Sequence, residues 1–467
     1  MQTKLRAIGG QELVLGLSSK PLTAWGGLAV FASFCESLGL RQVVEQALAS
    51  FQRTSPNALP VADHLIGFLA GVLTGASRFL HLERLRADQP LRAMFGVKRF
   101  CAPTTYARFF QSFTRQQGED VFGTLTRWGL GLLPVREDGY TLDLDSTVLE
   151  RWGAQEGVAR GYNPRRPGRG SHHPLLAGLA ECRWLLHGWL RAGNAAAGNH
   201  AIGFVTECLA LAEGRVALAR VRADSGFFAD TLLTYLEALV LPYLIKARMT
   251  KQVKRAAINI DTWQQVAPGI EVAETQITLL GWKQARRLVV IRQEEAKKAT
   301  PAHGRRLFEL KGYLFQAIVT SLSEDQMDAV TVYRTYNARG EFENRIKELK
   351  RGCGLEGFCL ESFRATECVL RTLMLLHNLI QHFQDRIGLR PAARPKKEGK
   401  RHVLETLRFR FFVCAASLGR SGRRRMLRLS ASDGWWAGFQ AALTRLSDQV
   451  PIAEQLPIPL LEPDGAC

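Results

Sequence analysis

Apolar residues recur at helical spacing along the first part of the chain. The stretches LRQVVEQAL from Leu40 and ADHLIGFLAGVL from Ala62 place them every three or four residues, which predicts two helices. Prolines interrupt the pattern between these stretches. A further helix is predicted after Pro103, where threonine residues can begin it. Residues 1–130 are therefore predicted to be mostly helical.

The period of the pattern changes to two in the segment GYTLDLDSTVL, as expected of a strand. Three side chains, those of Tyr140, Leu142 and Leu144, point to one face of this strand. Asp143 and Asp145 point to the other face. Carboxylates on a strand are costly to bury unless they have a partner or bind a metal ion. The face with Asp143 and Asp145 is therefore a candidate for a functional site.

Strands and helices alternate in the residues that follow. The stretch LLAGLAECRWLLHGWL predicts two strands joined by a turn, and AIGFVTECLALAEG predicts a helix. The stretch RVALARVRADSGF predicts a strand that ends at Asp224, and a helix and another strand come after it. This order predicts a mixed α/β fold with acidic residues at strand positions.

The remaining sequence divides into three parts. Strand-like stretches predict a β-rich insertion, helical spacing then returns, and the last part is basic and predicted to be helical. It contains the segment GLRPAARPKKEGKRH, a predicted linker or phosphate-contacting arm. The predicted regions are a helical N-terminal DNA-binding region over 1–130, the first part of the core over 135–255, the insertion over 256–325, the second part of the core over 326–385, and the C-terminal region over 386–467.

The net charge changes this picture. Lys and Arg number 62 against 43 Asp and Glu, a net charge of +19. Such an excess favours a polyanionic partner, because contacts to phosphates release counterions. We therefore expect a nucleic acid as the partner, with an anionic membrane surface or a ribosomal location as alternatives. The longest apolar run, Leu65 to Ala76, is too short for a membrane span of ~20 residues. The N-terminus shows no signal-peptide pattern, so the protein is predicted to be soluble and cytoplasmic.

Two basic features are candidates for DNA contacts. Arg108 lies on the predicted helix after Pro103, and a short helix with threonine, tyrosine and arginine suits a DNA groove. Arg165, Arg166 and Arg169 lie in the flexible basic loop GYNPRRPGRGSHH and can contact phosphates. The plain alternatives are a capped surface helix and a solvated loop.

Asp145 and Asp224 are the first candidates for catalysis. Cleavage of a phosphodiester needs an activated oxygen nucleophile and a stabilised leaving oxygen, and two divalent ions ~3.5–4 Å apart serve both needs. Mg²⁺ prefers carboxylate and water oxygens. Neighbouring central strands can bring these two aspartates side by side. Each could instead cap the following turn, and Asp143 remains an alternative to Asp145 as the first ligand.

The third carboxylate comes from helix geometry. At about 100° per residue, Tyr336, Arg339, Glu343 and Lys350 fall within a stripe of roughly 60°. The neighbouring glutamates of the same segment point away from this stripe. Glu343 is therefore the candidate that shares its face with a tyrosine and two cations. A salt-bridged, solvated face is the alternative.

The motifs resemble a known family. The stripe of Tyr336, Arg339, Glu343 and Lys350 matches in order and spacing the YREK signature of bacterial insertion-sequence transposases of the DDE class. The contexts LDLDST around Asp145 and DSGF from Asp224 resemble the first and second acidic motifs of that group. These details, with the RAGN stretch around Gly193 and Asn194, are most similar to the insertion-sequence 1380 branch.

This resemblance implies a fold, a chemistry and partners. It implies an RNase H-like catalytic core with a β-rich insertion between the second aspartate and the glutamate. Asp145, Asp224 and Glu343 would be the catalytic metal ligands for two Mg²⁺ ions, for which Mn²⁺ substitutes. Arg339 and Lys350 would position phosphates, and Tyr336 would contact the DNA backbone. The implied partners are double-stranded terminal inverted repeats, target DNA and a second copy of the chain, in a bacterial protein associated with the nucleoid.

Two rival functions share most of these features. A structure-specific nuclease on the same fold would cleave DNA without strand transfer. An inactivated, transposase-derived protein would bind DNA without cutting it. The stripe beside Glu343 argues against the first rival, and the presence of all three carboxylates argues against the second.

Two weaker features have plain alternatives. His172 and His173 could be metal ligands, although adjacent histidines in a loop rich in glycine and proline are expected to be exposed. Trp263 and Trp282 lie in the predicted insertion, where an aromatic ring could stack on a flipped base. A tryptophan in a β-rich segment is more often part of a core.

Overall fold

The computed structural model describes residues 3–16, 18–51, 58–196, 198–294, 308–310, 312–388, 401–430 and 433–447. Two compact units divide the chain. The first contains Met1–Tyr106 together with His382–Cys467, and the second contains Ala107–Gln381. The first unit therefore combines both ends of the chain.

The N-terminal part is largely helical, as expected, but it begins with short strands. Its elements are β1 (Thr3–Arg6), β2 (Glu12–Leu15), β3 (Leu22–Thr23), α1 (Leu28–Ser37), α2 (Leu40–Ala47), α3 (Val61–Leu73), a 3₁₀ helix (Phe79–Ala87), α4 (Gln89–Met94), α5 (Pro103–Gln111) and α6 (Arg115–Leu130). Helix α3 is buried along nearly its whole length. Its buried Asp63 is stabilised by an ion pair with Arg41 at 3.0 Å and by the backbone N–H of Lys98 at 2.7 Å.

The second unit contains a large mixed sheet. Its elements up to the last strand of that sheet are β4 (Tyr140–Ser146), β5 (Leu149–Glu150), β6 (Ala159–Arg160), β7 (Gly170–His172), β8 (Leu175–Leu179), β9 (Trp184–Trp189), α7 (Ala201–Ala212), β10 (Leu218–Ala223), α8 (Asp230–Ala238), β11 (Tyr243–Lys246), α9 (Lys251–Ile258), β12 (Gln264–Ala267), β13 (Ile270–Ile277), β14 (Arg286–Glu294), β15 (Phe308–Leu310) and β16 (Tyr313–Thr320). The protein is therefore mixed α/β, as the alternating pattern predicted.

Within the described residues, ten strands form this sheet. The hydrogen-bonded order is β12-β13-β14-β16-β11-β10-β4-β8-β9, and β15 pairs with β16. Strands β4, β10 and β11 are parallel to one another, whereas β8 runs antiparallel to β4 and β9 runs antiparallel to β8. Strand β8, which lies between β4 and β9, is buried throughout.

The predicted β-rich insertion continues this sheet. Strand β16 pairs with β11 on one side and with β14 on the other, so strands β12 to β16 extend the central strands. The expectation of strands over residues 256–325 is correct for their secondary structure. Their membership of the central sheet was not predicted, because pairing between distant strands leaves no mark in local periodicity.

The last elements are α10 (Ala329–Asn337), α11 (Gly340–Arg351), α12 (Phe363–Arg386), α13 (Leu404–Leu407), a π-helical turn (Arg408–Phe412), β17 (Ala415–Ser421), β18 (Arg424–Ser430) and α14 (Asp433–Ser447). The expectation of a helical C-terminal region is wrong for β17 and β18. These strands form an antiparallel hairpin, and β3 pairs with β17. Most of the basic segment GLRPAARPKKEGKRH lies outside the described residues.

The length and the hydropathy of the helices bear on whether any of them could cross a membrane. Within the described ranges, the structure contains no helix that is both long enough and apolar enough to cross a membrane.

Candidate active site

Two neighbouring parallel strands bring Asp145 and Asp224 together. Strand β10 pairs with β4 so that Ala223 lies opposite Leu144. Asp145 and Asp224 each follow these partners by one residue, at the carboxyl ends of the two strands. In open α/β sheets, ligands bind at this edge of the strands. The sheet thus aligns two carboxylates that are far apart in the sequence.

Asp143 occupies a different environment from Asp145. Its side chain is fully buried and accepts two hydrogen bonds from Arg222, at 2.7 and 2.8 Å. Arg222 lies directly opposite it on β10 and also donates to the carbonyl of Thr335 at 2.5 Å. Asp143 is therefore held in a buried, bidentate ion pair inside the sheet. This geometry leaves Asp145 as the aspartate of β4 that lies beside Asp224.

The helix predicted to carry the stripe is broken into two. Helix α10 ends at Asn337 and α11 begins at Gly340. Between them, the N–H of Arg339 bonds to the carbonyl of Tyr336 at 3.0 Å, and the N–H of Phe342 bonds to the carbonyl of Arg339 at 2.8 Å. These bonds have the tighter 3₁₀ spacing, and Gly340 disfavours a helix interior. The expectation of one continuous helix is therefore wrong.

Despite this break, Arg339 joins the stripe to strand β4. Its guanidinium lies 2.9 Å from a carboxylate oxygen of Asp145 and 3.3 Å from one of Glu343. It also donates to the carbonyl of Leu144 at 3.4 Å. The Arg339 side chain is only 7% exposed, whereas that of Glu343 is 54% exposed. Arg339 is thus a buried cation that bridges the first aspartate and the glutamate.

Tyr336 and Lys350 also have partners within the protein. The hydroxyl of Tyr336 donates to the carbonyl of Ala223 at 3.3 Å, next to Asp224, and the residue is 8% exposed. The ammonium of Lys350 donates to the carbonyl of Val148 at 2.8 Å, just after β4. The stripe therefore faces the carboxyl ends of β4 and β10. A DNA contact by Tyr336, Arg339 or Lys350 stays a prediction.

Each aspartate of the site also accepts a backbone hydrogen bond. Asp145 accepts the N–H of Ser146 at 2.8 Å. Asp224 accepts the N–H of Gly226 at 2.8 Å and so caps the short 3₁₀ turn Ser225–Phe227. The capping role considered from the sequence is therefore present at Asp224. It uses one of the two carboxylate oxygens.

The charges of the site affect one another. Burial raises the pKa of Asp145 to about 7, although the positive charge of Arg339 opposes the rise; the negative charges of Asp224 and Glu343 add to it. The pKa of Arg339 is raised, because the carboxylates of Asp145, Asp224 and Glu343 outweigh the effect of its burial. The three carboxylates are thus close enough to repel one another, with Arg339 as their shared counter-charge.

The donor set fits a hard divalent cation in its chemistry. Three carboxylates supply the oxygen ligands that Mg²⁺ prefers. Among the described residues, however, no three His, Cys, Asp or Glu side chains are arranged as they stand to hold a metal ion. The guanidinium of Arg339 lies between Asp145 and Glu343 and places positive charge there.

The other predicted DNA contacts lie at the surface. Arg108 is exposed on α5, and Arg165 and Arg166 are exposed in the loop between β6 and β7. The backbone N–H groups of Arg165 and Arg166 both donate to Asn163, at 3.1 Å each. Arg169 lies over the ring of Trp152. These positions are open to a ligand, and their contact with DNA stays a prediction.

The expectation that His172 and His173 are exposed is wrong. His172 belongs to β7 and is fully buried, where its ring accepts a hydrogen bond from Arg151 at 3.1 Å. His173 is 5% exposed and bonds to the carbonyl of Ala195 at 2.8 Å. Burial lowers the pKa of both imidazoles. The strand β7 explains the difference, because its short length gave no period to detect.

Trp263 and Trp282 are partly buried and pack against the core of the second unit. Arg292 lies over the ring of Trp263 at 4.2 Å, and Arg286 lies over that of Trp282 at 4.5 Å. A role in base flipping stays a prediction for both. Sequence reasoning missed a more exposed tryptophan, Trp152, whose signal was its place among arginines shortly after Asp145.

The chain belongs to the family described as transposase DDE domain group 1, whose family model matches residues 5–451. Membership of this family implies cleavage and transfer of DNA, and DDE transposases generally use divalent metal ions. Among curated proteins, no match to the chain was found.

One solved structure is similar to the chain at a low level. It is the cryo-EM structure of the piggyBac transposase synaptic complex with hairpin DNA. The sequences are 11% identical, the TM-score is 0.41, and the match covers 85% of this chain and 83% of that chain. A TM-score of this size does not by itself establish a shared fold.

Proposed function

We propose that this transposase cuts DNA at the ends of a bacterial insertion sequence and joins those ends to target DNA. Asp145, Asp224 and Glu343 are its catalytic carboxylates. The observation that carries the proposal is the meeting of Asp145 and Asp224 at the ends of paired parallel strands, with Arg339 joining Asp145 to Glu343. The YREK signature and the likeness to the insertion-sequence 1380 branch support this more specific assignment.

The strand arrangement supports an RNase H-like core. Strands β9, β8 and β4 are antiparallel neighbours, and β10 and β11 then follow in parallel with β4. Helices α7 and α8 connect the parallel strands. Three antiparallel strands followed by two parallel strands are what such a core requires. The acidic residues lie on its two central strands.

The carboxylates would hold two divalent ions, Mg²⁺ or Mn²⁺. When bound, these ions would activate the attacking oxygen and stabilise the leaving oxygen. The chain's own residues prepare the site. Strand pairing fixes Asp145 beside Asp224, and the ion pair of Asp143 with Arg222 locks the register of those strands. Before cations and DNA bind, the positive charge of Arg339 reduces the repulsion between the carboxylates.

Contacts to DNA are proposed for two groups of residues. Arg108, Arg165, Arg166 and Arg169 are placed to meet phosphates without a rearrangement of the core. Tyr336, Arg339 and Lys350 would exchange their present partners for phosphate oxygens when DNA enters. The substrates would be the terminal inverted repeats and the target DNA. Two copies of the chain would hold the two ends in a synaptic complex.

The test is metal-dependent cleavage and strand transfer on a duplex that carries the element's own end. We expect Asp145→Ala, Asp224→Ala and Glu343→Ala to bind this duplex but to cut it at least about a thousandfold more slowly, since each loses several kcal/mol of transition-state stabilisation. Glu341→Ala is the matched control, because Glu341 lies in the same first turn of α11 and its side chain is 51% exposed.

Three results would change the assignment. Normal cleavage by Asp145→Ala would make Asp143 the ligand and refute the site as proposed. Cleavage by the wild type without strand transfer would indicate a structure-specific nuclease. Binding by the wild type without any cleavage would indicate an inactivated, DNA-binding copy.

A further inference from the structure

An exposed tryptophan follows Asp145 by seven residues in the chain. Strand β4 ends just after Asp145, and the chain then enters a small three-stranded sheet of order β5-β7-β6. Trp152 follows β5, and 74% of this residue is exposed to solvent. Single exposed apolar residues are common on protein surfaces, so exposure alone assigns no role.

The protein around the backbone of Trp152 is tightly packed. Arg151 is 4% exposed, and it donates to His172 at 3.1 Å and to the carbonyl of Glu356 at 2.9 Å. Gly193 packs on the same small sheet: a Cβ there would lie 2.1 Å from the carbonyl oxygen of Ser171. Arg151, the residue before Trp152, is therefore held in place by its burial and its hydrogen bonds. The exposed Trp152 ring is attached to this ordered backbone.

Two cations lie over the indole. The guanidinium carbon of Arg169 is 3.6 Å from the ring centroid, and that of Arg166 is 5.8 Å away. Because Arg169 already covers part of the ring, the large remaining exposure leaves space for a second planar group. The segment from Glu150 to Gly170 contains five arginines and two glutamates. Arg151 is buried, and Arg166 pairs with Glu150 at 3.5 Å. The positive charge that remains suits a polyanion.

These features together select the occupant. Proteins bind unpaired nucleotides with an aromatic ring that stacks on a base and with cations that contact the phosphates. Trp152 supplies the ring, and Arg166 and Arg169 supply the cations. A fully paired duplex hides the faces of its bases within the stack, so it can use the cations but not the ring. Trp152 therefore suits an unpaired base.

Chain geometry limits where that base can be. Trp152 follows Asp145 by seven residues, which span at most about 25 Å when extended. Successive nucleotides of one strand in duplex DNA are spaced by about 3.4 Å. The platform can therefore reach a base within about seven nucleotides of a phosphate held at Asp145.

We propose that Trp152, Arg166 and Arg169 form a stacking platform for an unpaired base of the DNA next to the cleavage site. This inference rests on the proposed function, since it takes Asp145 as the place of cleavage. The platform adds recognition of distorted or opened DNA to the contacts with paired DNA. It differs from the insertion tryptophans, which are partly buried.

The test compares DNA affinities of the full chain without divalent metal. The probes are a duplex carrying the element's end and the same duplex with one unpaired 2-aminopurine at successive positions within about seven nucleotides of the cut. We expect the wild type to bind at least one unpaired probe about tenfold more tightly than the duplex and to quench its fluorescence. Trp152→Ala should lose this preference, since stacking is worth about 5- to 150-fold per base.

Two further variants separate stacking from charge. Trp152→Phe should retain part of the preference, because it keeps an aromatic face. Arg165→Ala removes a nearby exposed charge and should weaken binding to both kinds of probe by the same factor. Phe409→Ala, at an exposed aromatic residue of the other unit, should change neither affinity. Because the Trp152 ring is exposed, the thermal midpoint of Trp152→Ala should equal that of the wild type.

The outcomes distinguish the platform from the function on which it rests. If the wild type cuts the end but binds paired and unpaired probes equally, the platform is refuted and the transposase site stands. If Trp152→Ala weakens both probes equally, Trp152 contacts the duplex and the assignment to an unpaired base is wrong. If the wild type binds neither probe, the proposed function fails as well.

Discussion

Arg339 provides the positive charge that offsets the carboxylates of the site. Its guanidinium contacts Asp145 and Glu343, and all three carboxylates raise its pKa. Removal of one partner from a buried ion pair leaves uncompensated charge in a poorly solvated place. The residue is therefore expected to stabilise the metal-free protein and to compete with divalent cations for the same carboxylates.

Arg339→Met should lower the stability of the metal-free protein by about 3–5 kcal/mol. Mg²⁺ or Mn²⁺ should restore part of this loss, because a divalent cation can neutralise the same carboxylates. Thermal unfolding with and without metal measures both effects. Arg345→Met is the matched control, since the buried Arg345 donates to the carbonyls of Leu179 and Ala180. Equal responses of the two variants to metal would contradict this role of Arg339.

At this scale the sequence identified residues more easily than their contacts. The motifs around Asp145 and Asp224 and the spacing from Tyr336 to Lys350 were sufficient to select the candidates. The partner of Asp143 could not be predicted, because its pairing with Arg222 depends on the register of two strands distant in sequence. Asp143 and Asp145 look alike in the sequence, and only their partners distinguish them.

Among the elements, β9 presents the edge of the large sheet, and α12 covers part of it. The side chain of Asn378 on α12 accepts the N–H of Leu185 and donates to its carbonyl, both at 2.8 Å. An uncovered edge exposes backbone groups that can pair with another chain. Asn378 thus satisfies one residue of the edge strand and ties α12 to it.

Asn378→Leu should destabilise the second unit, because the N–H and carbonyl of Leu185 would both lose their partner. The expected cost is roughly 1–3 kcal/mol for each group. Thermal unfolding measures the loss, and light scattering should show earlier aggregation. Asn259→Leu, at an exposed residue after α9, should remain within about 0.5 kcal/mol of the wild type. A wild-type midpoint for Asn378→Leu would show that the edge does not depend on this contact.

Element types were well predicted where the hydrophobic pattern was long. Strand β4, the pair β8 and β9, and helix α3 all follow their apolar periods. The break before α11 was missed, because residues on both sides of Gly340 keep helical spacing while the backbone tightens between them. The hairpin of β17 and β18 was missed, although RRRMLRLS alternates arginine with apolar residues as a strand does.

For the whole molecule, the positive charge makes a quantitative prediction about DNA binding. Each phosphate contact contributes about −0.9 to the slope of the logarithm of affinity against that of salt concentration. The variant with Arg165, Arg166 and Arg169 all changed to alanine should therefore have a slope smaller by about 2.7 in magnitude. Fluorescence anisotropy at salt concentrations from about 50 to 200 mM measures the slope. DNA affinity depends strongly on salt in this range.

Arg115→Ala is the control for this measurement, since the exposed Arg115 already pairs with Glu119 at 3.0 Å. An unchanged slope in the triple variant would show that the loop does not contact phosphates. The sequence supported this expectation through the net charge and through the basic loop GYNPRRPGRGSHH. It could not indicate that both ends of the chain form one unit, or that strands β12 to β16 join the central sheet.

Asp145, Asp224 and Glu343 are proposed to hold together the metal ions with which this protein cuts DNA. The most direct measurement is a crystal structure of the full chain with its DNA end and Mn²⁺, with the ions located by anomalous scattering. We predict two peaks about 3.5–4 Å apart at these three carboxylates, with the guanidinium of Arg339 no longer between Asp145 and Glu343. Two results would contradict this assignment of the metal ligands. One is that the peaks lie elsewhere, and the other is that Arg339 still pairs with Asp145 and Glu343 in a complex that can cut DNA.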